Sequence, residues 1–578
     1  MNRLQIEGII NVRRGFKSGF LAVCLLLAAV FLAGCAGNEL VKAEEKPLIP
    51  ITEVPAPPQI TYEKMDMSRY KMGKSNGHSV SAVMGAMPPR QPDNPADYNT
   101  EGYDRVNENG FLDVIKNPLS TFSIDVDTAS YTNVRRFINS GAYPPPDAVR
   151  IEELINYFTY DYPQPMGEAP FSFTTELTDT PWKSGNRLLL VGLQGVRIPV
   201  DKLPPANLVF LIDVSGSMAQ ENKLPLLVKS FKLLIGQLRQ QDRVAIVVYA
   251  GQAGQVLPST SGMEKQKILA ALDTLQAGGS TAGGEGIQLA YRIARENYMK
   301  NGNNRVILAT DGDFNVGASS DGDMERLIEE KRKDGIFLSV LGYGMGNYKD
   351  SKMQKLADRG NGNYAYIDNL LEAKKVLLTQ FGGTLMTIAK DVKMQVEFNP
   401  AKVKSYRLIG YEKRMLRAED FADDKKDAGE LGSGHTVTAL YEIVPAEGAS
   451  GGKQELTYQT TEVKASALKS AELATIRFRY KKPQGETSTE LVRKIPAVAA
   501  SLDKAGGNIR FAAAVAEWGM LLRNSEHKGG ANYSQVLEIA RKAKGADNEG
   551  YRAEFIRLVE MTELIGGKKP GVSGHVTE

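Results

Sequence analysis

The chain is predicted to centre on an α/β domain with a doubly wound, mostly parallel sheet, flanked by an antiparallel β-sandwich and closed by a C-terminal helical module. Three observations carry this. From about residue 205 to 382, continuous apolar runs alternate with stretches of helical spacing, and strands apolar on both faces belong to parallel sheets covered by helices. On both sides of that region apolar and polar residues alternate singly, the period of a half-buried antiparallel strand. Beyond Asn508 apolar residues recur at three- and four-residue steps, which places them on one face of a helix.

In the central region Leu208 to Ile212, Val244 to Tyr249, Arg305 to Ala309 and Ile336 to Leu341 read as buried strands. Leu224 to Leu238, Gly286 to Met299 and Met324 to Lys333 read as the helices between them. Phe171 to Leu177 and Leu188 to Val200 precede the region as strands, with the turn-prone Lys183-Ser184-Gly185-Asn186 between them. Val392, Met394, Val396 and Phe398, then Ile476, Phe478 and Tyr480, follow it. These flanking strands are expected to pair into one sandwich that receives the α/β domain as an insertion. Phe511, Val515, Trp518 and Leu522 mark a first closing helix, Val536, Ile539 and Ala540 a second, and Phe555, Leu558, Val559 and Thr562 a third.

At 578 residues the chain exceeds what one hydrophobic core supports. The expected division is a signal segment at 1–34, a tether at 35–107, an α/β region with the first sandwich strands at 108–204, the central domain at 205–382, the sandwich at 383–500 and the helical module at 501–578. Within 108–204, Thr121 to Asp127 reads as a strand, and Tyr131 to Ser140 and Ile151 to Phe158 as helices, together a small α/β unit. Asp125 and Asp127 there invite a metal reading, but Asp127-Thr128 is better read as the end of a strand and the cap of the next helix.

Hydrophobic residues make up 42% of the chain, and 71 Lys and Arg stand against 68 Asp and Glu for a net charge of +3. That balance argues against nucleic acid as a partner. Arg13, Arg14 and Lys17 precede an apolar run from Phe20 to Leu32, too short to span a bilayer comfortably. The run ends in Leu32-Ala33-Gly34-Cys35, which resembles the lipobox of bacterial lipoproteins. That resemblance implies acylation of Cys35, a lipid anchor in the cell envelope and, with Ala36 next, the outer membrane of a Gram-negative cell. Of the two cysteines, Cys24 would be removed and Cys35 lipidated, leaving no thiol for disulfides, catalysis or metal. From Ala36 to about Asn107 the chain is polar and rich in proline, as in Pro55-Ala56-Pro57-Pro58, and a flexible chain of about 70 residues reaches roughly 45 Å.

Three loops of the central domain carry chemistry. Phe210-Leu211-Ile212-Asp213-Val214-Ser215-Gly216-Ser217 is an apolar strand that stops at an aspartate and enters a hydroxyl-rich turn. Arg305-Val306-Ile307-Leu308-Ala309-Thr310-Asp311-Gly312 again sets an aspartate directly after a buried strand. Between them, Gly278-Gly279-Ser280-Thr281-Ala282-Gly283-Gly284 offers a threonine oxygen among glycines that permit close backbone approach. In open parallel sheets, ligands bind outside the carboxyl ends of the strands, where both aspartates fall.

Together the loops resemble the metal ion-dependent adhesion site of the von Willebrand factor A (VWA) family, a Rossmann-like fold. The resemblance implies that Ser215 and Ser217 bind a metal directly, Thr281 directly or through water, and Asp213 and Asp311 largely through water and hydrogen bonds. Mg²⁺, with Mn²⁺ or Ca²⁺ as alternatives, would be the ion, because it takes six oxygens and parts reluctantly with water. The partner would be a protein that supplies an Asp or Glu carboxylate to the metal. Residues 117–165 and the tail, including Gly382-Gly383-Thr384-Leu385 and Tyr551-Arg552-Ala553-Glu554-Phe555, are similar to a group of bacterial VWA lipoproteins. Asp313 and Asn315 read as loop residues and Asp242 as a turn residue.

Two other readings compete. An envelope scaffold would make its main contact outside the metal loops. A Mg²⁺-dependent hydrolase is disfavoured: His78, His435, His527 and His575 lie away from the metal loops, and no nucleophile elbow, phosphate loop or dinucleotide fingerprint is present. The chain is therefore read as a binding protein and not an enzyme.

Overall fold

The computed structural model describes residues 101–566, apart from 280–282, 313–320, 347, 381–382, 384–385, 427, 447–453, 456, 459 and 484. The signal segment, Cys35, the tether up to residue 100, Thr281, Asp313, Asn315, Gly382, Thr384, Leu385, His78 and His575 lie outside the described residues. Residues 101–107, expected to end the tether, are docked: Glu101 accepts from Arg136 at 2.8 and 3.0 Å and Val106 N donates to Asp147 at 2.9 Å.

The chain enters through β1 (Leu112–Asp113) and β2 (Leu119–Ser123), then α1 (Ala129–Asn139) and α2 (Ile151–Asn156), then the paired β3 (Phe171–Asp179) and β4 (Arg187–Gly195). β2 stops at Ser123, short of the expected Asp127. Asp127 and Thr128 do not cap α1 by a side-chain bond. Asp127 instead accepts from Tyr364 N at 2.9 Å and from Arg414 at 3.3 Å, while Asp125 pairs with the same guanidinium at 3.1 Å. Both aspartates are thus joints between distant parts of the chain.

The α/β domain begins with β5 (Ala206–Asp213), all eight residues buried, followed by α3 (Leu224–Gln237). Pro225 sits in the first turn of α3, where its missing N–H is not required. Then come β6 (Arg243–Tyr249), β7 (Ala253–Ser261), α4 (Lys265–Asp273), α5 (Gly283–Glu296), β8 (Asn303–Thr310), α6 (Asp321–Lys333), β9 (Ile336–Gly342), α7 (Asp350–Arg359), β10 (Tyr364–Tyr366) and α8 (Leu370–Lys374). The sheet order is β10-β9-β8-β5-β6-β7, parallel throughout except for the edge strand β7. Alternate residues of each strand feed two cores. Leu208, Phe210 and Ile212 join Phe231 and Ile235 on one face, and Val209 and Leu211 join Ile287 and Tyr291 on the other. Burial of both faces is what makes the strands read as unbroken apolar runs.

The sandwich resumes with β11 (Thr387–Phe398), β12 (Val403–Ile409), β13 (Met415–Leu416), β14 (Gly429–Gly432) and β15 (Thr436–Pro445). After the small hairpin β16 (Gln454–Glu455) and β17 (Thr460–Thr461) come β18 (Glu472–Lys481) and β19 (Ser488–Pro496). One sheet is ordered β1-β12-β15-β4-β3 and the other β13-β2-β11-β18-β19, with β14 on β11. Each sheet mixes strands from before and after the α/β domain, so that domain is an insertion in the sandwich. Aromatic side chains fill the space between the sheets: Phe398 stacks on Tyr406 at 4.3 Å between ring centres, and Phe173 tilts against Phe478 at 4.8 Å.

The closing helices α9 (Gly507–Arg523), α10 (Tyr533–Ala543) and α11 (Tyr551–Gly566) share one core with α1 and α2. Trp518 is fully buried there, edge-on to Phe555 at 5.3 Å and tilted toward Tyr131 at 6.3 Å. The expectation of a separate small α/β unit before residue 165 therefore fails. Its strand belongs to the sandwich, and its helices complete the C-terminal bundle, because neither has a second apolar layer nearby in sequence. Among the described residues no helix is long and apolar enough to cross a membrane.

Candidate functional site

Asp213 ends β5, at the carboxyl edge of the sheet, and its side chain is fully buried. Three donors hold it: Ser215 N reaches Oδ1 at 2.9 Å, and Thr310 Oγ1 and Tyr249 OH reach Oδ2 at 3.0 and 3.1 Å. Burial pushes its carboxyl above the usual range; hydrogen bonds from Ser215 oppose the shift and the charge of Asp311 adds to it. The chain then turns so that Ser215 Oγ and Ser217 Oγ stand 3.1 Å apart. Ser215 is buried and Ser217 exposed, so the hydroxyl pair leads from the carboxylate to solvent.

The second aspartate arrives from the neighbouring strand. β5 and β8 pair in parallel, Ile212 opposite Ala309, and Asp311 follows β8 fully buried. Gly312 takes φ +95°, where a Cβ would come within 2.8 Å of Lys349 N, so the turn that presents Asp311 requires glycine. The glycine loop docks onto the serine turn: Gly278 N donates to Val214 O at 2.7 Å and Gly216 N to Gly279 O at 3.0 Å. Four of the five expected site residues, Asp213, Ser215, Ser217 and Asp311, thus meet at one edge of the sheet. Thr281 lies outside the described residues.

Three side chains that sequence reasoning passed over complete the arrangement. Tyr249 stands directly opposite Asp213 in the register of β5 and β6. Thr310 precedes Asp311 and points its hydroxyl at Asp213. Lys223, just before α3 and almost wholly buried, donates from Nζ to Asp311 Oδ2 at 2.9 Å. The alternation of β8 could have flagged Thr310, and the parallel pairing of β5 with β6 could have flagged Tyr249. Nothing in the local sequence marks Lys223.

The donor chemistry suits a hard cation: two hydroxyl oxygens and two carboxylates, with no nitrogen or sulfur among the four. The charge of Asp311 adds to the proton affinity of the buried Asp213 carboxylate, a setting that a positive charge relieves. In the structure Lys223 supplies such a charge to Asp311.

Comparison with known proteins agrees with this architecture. The family model for the von Willebrand factor type A domain matches residues 207–379, one for von Willebrand factor matches 97–190, and one for "Uncharacterized protein YfbK, C-terminal" matches 383–565. "Uncharacterized protein YfbK" of Escherichia coli (strain K12) is 46% identical over 477 residues, 81% of this chain and 82% of that protein. Among solved structures, a von Willebrand factor type A protein from Catenulispora acidiphila is similar at 16% identity. The match covers 68% of this chain and 89% of that one, with a TM-score of 0.38. The ArnB paralog VWA2 from Sulfolobus acidocaldarius matches at 13% identity over 69% and 98%, with a TM-score of 0.33. With three family models matched in succession along the chain, and a relative 46% identical over most of its length, the chain belongs to the YfbK family of bacterial von Willebrand factor A domain proteins.

Proposed function

We propose that the protein binds a partner protein through a divalent cation, Mg²⁺ first among candidates, held by Asp213, Ser215, Ser217, Thr281 and Asp311. The observation that carries this reading is the convergence of two buried carboxylates and two adjacent hydroxyls at the carboxyl edge of the sheet, with the hydroxyl pair leading to solvent. When bound, the ion offers a coordination position to an acidic side chain of the partner. The chain's own residues prepare that position. Tyr249 and Thr310 fix the Asp213 carboxylate, Ser215 N locks its other oxygen, and Gly312 turns Asp311 inward. This reading makes the protein a non-enzymatic interaction module. The lipobox-like Leu32-Ala33-Gly34-Cys35 supports its attachment to the cell envelope through lipid on Cys35, with the outer membrane as the favoured site.

Calorimetry with Mg²⁺ and Mn²⁺ on the folded protein tests the metal. One ion per chain is expected, and Asp213→Asn, which keeps the shape and removes the charge, should weaken it about 10- to 100-fold. Capture of the envelope partner should fall in parallel and vanish with chelator. Folded protein that takes up neither ion at millimolar concentration would sink the proposal.

Lys223 gives a second expectation. Its ammonium occupies one oxygen of Asp311 and opposes a doubly charged ion. Lys223→Met should therefore tighten Mn²⁺ binding about tenfold, since a unit charge at this range is worth more than 1 kcal/mol even at an effective dielectric of 20. The same variant should melt lower than wild type in chelator and recover with the ion. Electron paramagnetic resonance of Mn²⁺ reads the first effect and a thermal melt the second; weaker binding in the variant would refute the competition.

A further inference from the structure

Some six residues and roughly 20 Å along β8 from Asp311, at the opposite end of the strand, Arg305 lines a cavity of about 370 Å³ between the α/β domain and the sandwich. One wall is built by Arg305, Lys355, Arg359 and the turn 361–363, the other by β2, β13, β14 and the residues beside them. Among the described residues six basic side chains (Arg305, Lys355, Arg359, Lys413, Arg414 and Lys426) and three acidic ones line it. Two of those acids, Asp125 and Asp358, are already engaged by Arg414 at 3.1 and 3.0 Å. The third, Glu430, accepts from Asn361 at 3.3 Å.

Arg305 itself is 3% exposed. Its Nη1 donates to Ser339 Oγ at 2.7 Å, and its guanidinium stands 5.6 Å from the ring centre of Phe337. Its Nε is shielded from solvent and has no hydrogen-bond partner. No carboxylate among the described residues lies within ion-pair distance of it, whereas the buried Arg135, Arg150 and Arg407 each hold one. Burial pulls the Arg305 pKa down to about 10, with the attraction of Glu430 opposing. A buried charge with no ion-pair partner and an unsatisfied N–H is costly. A volume of this size falls within the range of small-molecule sites, which favour domain seams.

We infer that this cavity is a binding site for a small soluble anion bearing phosphate or carboxylate groups, which pairs with Arg305 and is drawn in past Lys355, Lys413 and Lys426. The inference is independent of the metal site. Because both domains contribute walls, the ligand ties the α/β domain to the sandwich, and its binding raises the melting temperature of the whole.

The test uses the full chain with inorganic phosphate, pyrophosphate and citrate as probes, against sodium chloride at matched ionic strength. Saturable binding of one anion per chain with a raised melting temperature is expected. Pyrophosphate above citrate identifies a phosphate ligand, and the reverse a carboxylate. Arg305→Met should lose at least about tenfold in affinity and melt no lower than wild type without ligand, because an apolar isostere replaces an uncompensated buried charge. Ser339 Oγ keeps the amide of Asn363 at 3.4 Å in that variant. Lys355→Gln with Lys426→Gln, both on the exposed rim, should lose several-fold without touching the core, which keeps the test open if Arg305→Met does not fold. Three results overturn the inference: no saturable binding of any probe at about 10 mM, undiminished affinity in both variants, or an Arg305→Met protein that melts lower without ligand yet binds as wild type.

Discussion

Arg135→Ala is expected to cost about 3–5 kcal/mol of stability, the range for removing one partner from a buried ion pair. Arg135 projects from α1, 2% exposed, and its guanidinium is fully used. It forks onto Asp368 at 2.8 and 2.5 Å, reaches Glu372 at 2.9 Å and Glu554 at 3.0 Å, and donates to Tyr157 OH at 2.9 Å. Asp368 and Glu372 are themselves 8% and 1% exposed. Without the arginine they remain buried and uncompensated. Lys375 does not replace it, because its Nζ is held on Tyr157 O at 2.6 Å and burial pulls its pKa down to about 7, which leaves its charge weak at neutral pH. The three carboxylates come from the end of the α/β domain and from α11, so one side chain joins the inserted domain to the helical bundle. The expected signature is a large fall in the midpoint of urea or thermal unfolding together with new protease sensitivity near residue 368. Arg135→Lys should recover only part of the loss, since an ammonium cannot make the paired bonds of the fork. A loss below about 1 kcal/mol would place the cluster among surface-like pairs and refute its role as a joint.

What the sequence made legible, and what it hid, follows the range of the interactions involved. The strands β5, β6, β8 and β9 were readable because double burial writes an unbroken apolar run. Asp213 and Asp311 were readable because each stands at the carboxyl end of such a run, where a core residue has no reason to be polar, and Ser215 and Ser217 because they follow in the same short turn. Lys223 was not, because its meaning depends on a carboxylate 88 positions later. Asp127 was misread as a helix cap for the same reason: its partner Arg414 is 287 positions away, and a short polar residue before a helix carries a local explanation that looks sufficient. The helical faces of α1 and α9 were visible as periodicity. Periodicity states that a face is buried and not what buries it, so the stacking of Tyr131 and Tyr157 beneath Trp518 and Phe555 emerged only in three dimensions. The short strand β10 and the antiparallel edge strand β7 went unread, the first for its three residues and the second because its buried positions are few.

Glu517 predicts a pH dependence of stability located in the same helical bundle. Its side chain, on α9, is fully buried; Oε1 accepts only from Asn532 N, at 3.3 Å, and Oε2 has no partner. Burial lifts its pKa to about 8, with the Asn532 amide opposing. The folded protein therefore keeps a proton that the unfolded chain releases near pH 4.3. Between that value and about 8 the native state binds more protons than the unfolded state, so stability must fall as pH rises and level off above 8. At 1.36 kcal/mol per unit the fall from this one group is on the order of 5 kcal/mol. Glu517→Gln keeps the volume and the acceptor for Asn532 but cannot ionise. Thermal melts from pH 5 to pH 9 should show the variant close to wild type at the acid end and progressively more stable toward the alkaline end. Parallel curves for the two proteins would mean that water or a neighbouring donor solvates the carboxylate after all. The divergence assigns the loss of stability at alkaline pH to the single unpaired oxygen of Glu517.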